Sequence, residues 1–186
     1  LLVFIFVWLW PMIILAIKLE SKGPILYKQE REGQKNKRFL CLKFRSMIHN
    51  SKQFDKKGSF LQVSENDFRV TRVGKFLRRR NFDELPQFLC ILRGDMSLVG
   101  PRPHPTVLNL EYQGKIRDYS SRHRIKPGMT GWAQIRGLRG KVKNVAHMRK
   151  RIEHDLWYIE NWSFWLDVKI IFRSLVLMIN GDPKAY

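Results

Sequence analysis

The sequence predicts an α+β fold: a mainly helical single domain with a few short strands, an N-terminal re-entrant membrane helix and interfacial amphipathic helices. Three observations predict it. The chain has 186 residues, 44% of them hydrophobic, enough for one core without disulfides or metals. Residues 1–17 are apolar throughout, interrupted only by Pro11, and Lys18, Glu20 and Lys22 then end the run. Beyond it, helical spacing of apolar residues dominates, with short stretches of two-residue alternation between turns.

The first element, residues 1–22, is read as membrane-inserted, and residues 23–186 as the domain on the cytoplasmic face. A straight helix over the apolar run reaches roughly 25 Å at about 1.5 Å per residue, short of the roughly 30 Å hydrocarbon core. Pro11 removes a backbone hydrogen bond near its middle. Three readings compete: a re-entrant helix turning at Trp10-Pro11, a truncated spanning helix, or a buried core helix. Leu1 opens the chain inside the apolar run, as expected of a piece of a longer protein. The dense positive charge that follows marks the cytoplasmic side.

Residues 25–28 read as a short strand. Residues 38–47 alternate well enough for another, with Lys43 and Arg45 on one face. Residues 49–68 lack periodicity and read as an exposed loop. Val70 to Arg80 is expected to be a helix with Val73, Phe76 and Leu77 inward. Leu85 to Leu92 forms the next, and residues 107–124 a further amphipathic one. Lys126-Pro127-Gly128 and Gly131 mark a turn, Gly137 and Gly140 a second loop. Ala146 to Glu160 carries Met148, Ile152, Leu156 and Ile159 on one stripe. Residues 162–179 are apolar and aromatic, suited either to a membrane interface or to a core.

The net charge is +19. Residues 18–80 hold 18 Lys/Arg against 6 Asp/Glu, and residues 115–154 hold 12 against 2. Such an excess faces something anionic: nucleic acid, an acidic membrane surface or phosphorylated substrates. Cys41 and Cys90 lie in apolar contexts without zinc spacing and read as buried thiols. Histidines 49, 104, 123, 147 and 154 have no metal-ligand spacing and read as structural; His123, between Arg122 and Arg124, should resist protonation.

The segment from Arg78 to Pro105 carries most chemistry. Asp83 and Glu84 stand between Arg78-Arg79-Arg80 and Gly100-Pro101-Arg102-Pro103-His104-Pro105. An acid pair among fixed cations suits a metal-bound phosphate. The plainer alternative is a helix N-cap at Asp83 beside a solvated Glu84. Arg102, held between prolines, loses little freedom on gripping phosphate. Arg79 and Arg80 are assigned to the membrane-facing surface.

Asp83-Glu84-Leu85-Pro86-Gln87 and Gly94-Asp95-Met96-Ser97-Leu98-Val99-Gly100-Pro101-Arg102-Pro103 resemble the core of the bacterial sugar transferases, the monotopic polyprenyl-phosphate phosphoglycosyl transferases. Upstream, Leu42-Lys43-Phe44-Arg45-Ser46-Met47 and Thr71 to Arg78 extend the likeness; downstream, Lys126 to Gln134 and Asp155 to Ser163 continue it in order. The resemblance implies that Asp83 attacks a UDP-sugar as nucleophile, releasing UMP, and that Glu84 binds Mg²⁺. It implies phosphate contacts from Lys43, Arg45, Arg78, Arg102 and Arg139, with Asp155 orienting an arginine through a salt bridge. The acceptor implied is undecaprenyl phosphate in the cytoplasmic leaflet of the bacterial inner membrane. Gln134 to Gly140 and Met148 to Asp155 resemble the subgroup that transfers glucose- or galactose-1-phosphate, although Arg136 and Lys141 replace its usual Asn and Glu. UDP-glucose is the expected donor, and a homodimer is compatible with the sequence. The rivals are a basic nucleic-acid-binding module, for which no recognised motif is present, and a membrane scaffold without catalysis.

Overall fold

The computed structural model describes residues 2–56, 58, 60–64 and 66–180. Helix α1 runs unbroken from Leu2 to Glu20 with Pro11 inside it. No helix among the described residues is long and apolar enough to cross a membrane. Ile13 and Ile17 bury one side of α1 against Phe44, Leu77 and Leu85, and Trp10 meets Phe44 edge-on at 5.3 Å. The other side exposes Trp8, Met12, Leu15 and Leu19, spaced at helical intervals along one stripe. From Trp8 onward, helix α1 is therefore part core and part open apolar surface.

Strands β1 (Leu26–Glu32) and β2 (Arg38–Phe44) form an antiparallel hairpin pairing Leu26 with Phe44 and Glu32 with Arg38. β1 runs four residues beyond its expected end, because Gln29, Glu30, Arg31 and Glu32 find backbone partners in β2. In the loop that follows, the described residues from 48 to 69 form no strand or helix, apart from isolated bridges such as Phe54 with Phe60. Helix α2 (Arg72–Arg79) starts at Thr71, whose Oγ1 accepts from Gly74 N at 2.9 Å. Leu77 of α2 is buried, but Phe76 is 57% exposed and not inward as expected.

A 3-10 turn (Phe82–Glu84) leads into α3 (Gln87–Leu92), and β3 (Ser97–Val99) follows. The expected helix over 107–124 is two pieces: α4 (Thr106–Tyr112) and a 3-10 stretch (Tyr119–Arg124). Asp118, at φ 58°, turns the chain between them; Asp tolerates this left-handed conformation better than most residues. β4 (Gly128–Thr130) pairs in parallel with β3, and α5 (Trp132–Ile135), α6 (Val145–Glu160) and α7 (Phe164–Asn180) complete the chain.

The parallel pair was hidden behind its glycines. A Cβ on Gly128 would lie 2.1 Å from Gly100 N, so only a bare backbone lets the strands meet. α6 buries Met148 and Ile152 with Leu108, Tyr112 and Tyr119; α7 buries Ile170 with Val99 and Tyr158. Cys41 and Cys90 are free thiols in the core, as expected. The α+β class holds, about half helix with a few short strands.

Candidate active site

Asn81 sets up the acid pair. It has φ 57° between α2 and the 3-10 turn, a left-handed conformation that Asn accepts readily. The reversal carries Asp83 and Glu84 inward, where they are 5% and 6% exposed. Asp83 is thus inside the turn and does not cap α3, whose N-cap is Pro86. Together they line a cavity of about 570 Å³ with Lys43, Arg45, Arg78, Arg102 and Arg139. That volume falls within the range of small-molecule sites, about 300–1,000 Å³.

The carboxylates have different surroundings. Glu84 accepts from Lys43 Nζ at 2.6 Å and from Arg102 through both terminal nitrogens, one at 3.0 Å. Burial pushes its carboxyl up, but Arg102 and Lys43 outweigh burial and hold it well below the usual range. Asp83 takes no side-chain hydrogen bond among the described residues. Burial raises its carboxyl, Lys43 opposes, and the neighbouring Glu84 charge adds to the rise. Two environments that separate the behaviour of adjacent acids commonly mark different roles. Burial lowers Lys43, against the pull of Glu84.

Arg78 donates from Nε to Ser46 Oγ at 2.8 Å. Arg139 donates to Asn81 Oδ1. Arg45 lines the cavity wall, yet its guanidinium is spent on the carbonyls of Ile17 at 3.3 Å, Ser21 at 2.6 Å and Lys22. It closes the C-terminal end of α1, where helix carbonyls lack partners. β2 ends at Phe44, so strand alternation no longer puts Arg45 beside Lys43.

Asp155 is not in the cavity wall. It pairs with Arg122 at 2.9 Å, both almost fully buried, and Arg122 also donates to the Arg102 carbonyl and to His104. This is the expected salt bridge, and it anchors the segment that presents Arg102. Burial pushes the Asp155 carboxyl up to about 6 against Arg122 and Arg151, so the pair is ionised at neutral pH. Burial, then Arg122, hold His104 well below its usual range and bring His123 down to about 4. Both stay neutral, as expected of structural imidazoles.

Sequence reasoning missed Arg31, Asn81, Arg122 and Arg151. Arg31 is 7% exposed and donates to the Pro103 carbonyl and to Gln29 Oε1 at 2.9 Å. Arg151 donates to the Gly140 carbonyl at 2.7 Å, bracing the loop of Arg139. A period-2 pattern continued through Arg31 was the one signal available.

No group of three or more His, Cys, Asp or Glu among the described residues could hold a metal alone. The adjacent carboxylates nevertheless fit Mg²⁺, which keeps several waters and takes one or two carboxylates plus phosphate oxygens.

The fold thus gathers an acid pair and several cations around one cavity, and comparison with known proteins gives the family. The family model described as bacterial sugar transferase matches residues 1–181, and the chain belongs to that family. It is 44% identical over 182 residues to a UDP-glucose:undecaprenyl-phosphate glucose-1-phosphate transferase of Xanthomonas campestris pv. campestris, covering 96% of this chain and 37% of the relative. To the protein of the same name in Escherichia coli (strain K12) it is 49% identical over 163 residues, covering 88% and 34%. A UDP-N-acetylgalactosamine-undecaprenyl-phosphate N-acetylgalactosaminephosphotransferase of Aeromonas hydrophila is 45% identical over 165 residues, covering 89% and 38%. The chain thus spans little more than a third of the length of these relatives.

Proposed function

We propose that this domain transfers hexose 1-phosphate from a UDP-sugar, UDP-glucose in the first instance, to undecaprenyl phosphate. Asp83 attacks the β-phosphorus; the bond to the bridging oxygen breaks, UMP leaves, and the sugar phosphate stays on the Asp83 carboxyl. A phosphate oxygen of undecaprenyl phosphate then attacks the same phosphorus, and the Asp83–phosphorus bond breaks. One hard displacement becomes two easier ones. The single observation that carries the reading is a buried, unbonded Asp83 in the wall of a cavity whose other walls hold Lys43, Arg78, Arg102 and Arg139.

In this scheme Lys43, Arg78, Arg102 and Arg139 neutralise the diphosphate and orient it for in-line attack. Glu84 keeps Lys43 and Arg102 in place and would hold Mg²⁺ together with phosphate oxygens. Bound there, the cation would shield the negative charge facing the nucleophile. Helix α1 would lie shallowly in the cytoplasmic leaflet, entering and leaving by one face, with Trp8, Met12, Leu15 and Leu19 in lipid. The exposed Trp165 and Phe172 of α7 would rest at the interface, where aromatic rings settle favourably.

The test is UMP release from UDP-glucose with undecaprenyl phosphate. Release should require Mg²⁺ and vanish in Asp83→Ala. Release that survives Asp83→Ala would dismiss the covalent scheme.

A further inference from the structure

A second cavity of about 120 Å³ shares Asn81, Glu84 and Arg139 with the large one. It lies between α3, β4 and α7, and apart from the shared residues its walls are mostly carbon: Leu85, Phe88, Met129, Ile171, Leu175 and Met178. The hydroxyls in it are already engaged. Ser174 Oγ donates to the Ile170 carbonyl at 2.8 Å and lies 2.5 Å from Thr130 Oγ1. Gln134 Oε1 is buried there with no partner among the described residues; an acceptor oxygen repels an anion.

These features specify the occupant. The cavity is far below the roughly 300 Å³ of ordinary small-molecule sites, so a nucleotide does not fit. Its apolar walls favour a hydrocarbon, while Arg139, the one cation among its described lining residues, stands at the edge shared with the catalytic cavity, beside a Glu84 whose charge Lys43 and Arg102 offset. An occupant with an apolar body and a single anionic end satisfies both. A free sugar or a second nucleotide satisfies neither.

We propose that this groove seats the first isoprene units of the polyprenyl phosphate acceptor, with its phosphate at the Asn81–Arg139 edge and its chain running along α7. The inference rests on the function proposed above and adds where the lipid binds. The remainder of the chain would leave over the outer surface of α7, where Trp165, Phe172 and Ile179 are largely exposed. The two substrates would then approach Asp83 from separate cavities, so the lipid need not wait for the nucleotide pocket to empty completely.

The test separates the half-reactions in detergent. Leu175→Trp adds bulk to the apolar wall of the groove and replaces none of the carboxylates or cations. UMP release in the absence of lipid should match wild type. Transfer to undecaprenyl phosphate should fall about tenfold in kcat/KM, the effect of excluding about two buried methylenes. An unchanged kcat/KM would overturn the groove assignment. As a second measurement, a geranyl phosphate bearing a diazirine on its first isoprene unit should label residues 171–178 of the wild-type protein. Labelling confined to other segments would overturn the assignment even if Leu175→Trp fails to fold. Absence of lipid-independent UMP release in wild type would instead count against the proposed covalent chemistry, and the photolabel would still decide the groove.

Discussion

Glu84 holds two cations on one carboxylate while Asp83 holds none directly, and the proposed division of labour between them rests on that asymmetry. The same logic reaches outward to Asp155, which fixes Arg122, which in turn fixes the Arg102 carbonyl and His104. Asp155 is a positioning residue, and its carboxyl titrates near 6. Through this group, the folded state binds its proton more tightly than the unfolded chain. Stability from it is therefore present at low pH and lost as pH rises through about 6. An acid loss of activity near pH 6 cannot come from unfolding driven by Asp155; it comes from release of Arg122. We expect wild-type kcat to fall as pH drops through about 6. Asp155→Asn should be slow at pH 7.5 with that acid limb absent. A pH–rate profile of the two proteins checks it, and an identical acid limb in the variant would refute the role.

Legibility at this scale was uneven. Asp83, Glu84, Lys43, Arg78, Arg102 and Arg139 were readable from motif order and converge on one cavity. Arg45, Arg31 and Arg122 were not, because their roles depend on carbonyls from distant segments: Ser21, Pro103 and Arg102. A basic residue in a sequence shows its charge. It does not show which backbone end it must satisfy.

Among the elements, α2 is positioned by contacts that tolerate no side chain. A Cβ on Gly74 would stand 2.0 Å from the Ser46 carbonyl oxygen, and Ser46 also accepts from Arg78. Glu20, at the end of α1, accepts from Arg72 N at 2.6 Å and Val73 N at 2.9 Å, where a carboxylate complements the start of a helix. Gly74→Ala should destabilise the fold by about 1–3 kcal/mol, the usual cost of overpacking, and lower activity by displacing Arg78. Denaturant unfolding measures the first and UMP release the second; unchanged values would mean that α2 moves freely. Periodicity located the long helices α6 and α7 within two residues. It missed the split at Asp118 and the β3–β4 pair, since short elements bounded by Gly and Asp carry too little pattern to register. Phe76 was misplaced because the α2 face that looked inward is covered only around Leu77 and Val73.

For the whole molecule, charge and apolar surface point the same way. The net charge is +19, and α1 and α7 both expose apolar stripes. α2 touches each of them: Glu20 of α1 meets its first amides, and Arg80 at its C-cap donates to the Ile179 carbonyl of α7. Binding should therefore be strong to vesicles containing anionic lipid, weaker to neutral ones, and only partly reversed by salt, since salt screens charge but not burial. Vesicle sedimentation with and without 0.5 M salt, roughly a twofold compression of the screening length seen at physiological strength, checks this. Complete release by salt would assign the binding to charge alone.

The central claim is a covalent sugar phosphate on one aspartate, and intact mass spectrometry of the protein incubated with UDP-glucose and Mg²⁺, without lipid, tests it most directly. The account predicts a hexose phosphate adduct that maps to Asp83, disappears on adding undecaprenyl phosphate and never forms in Asp83→Asn. A protein that turns over without any adduct, or an Asp83→Asn variant that still acquires one, would contradict it.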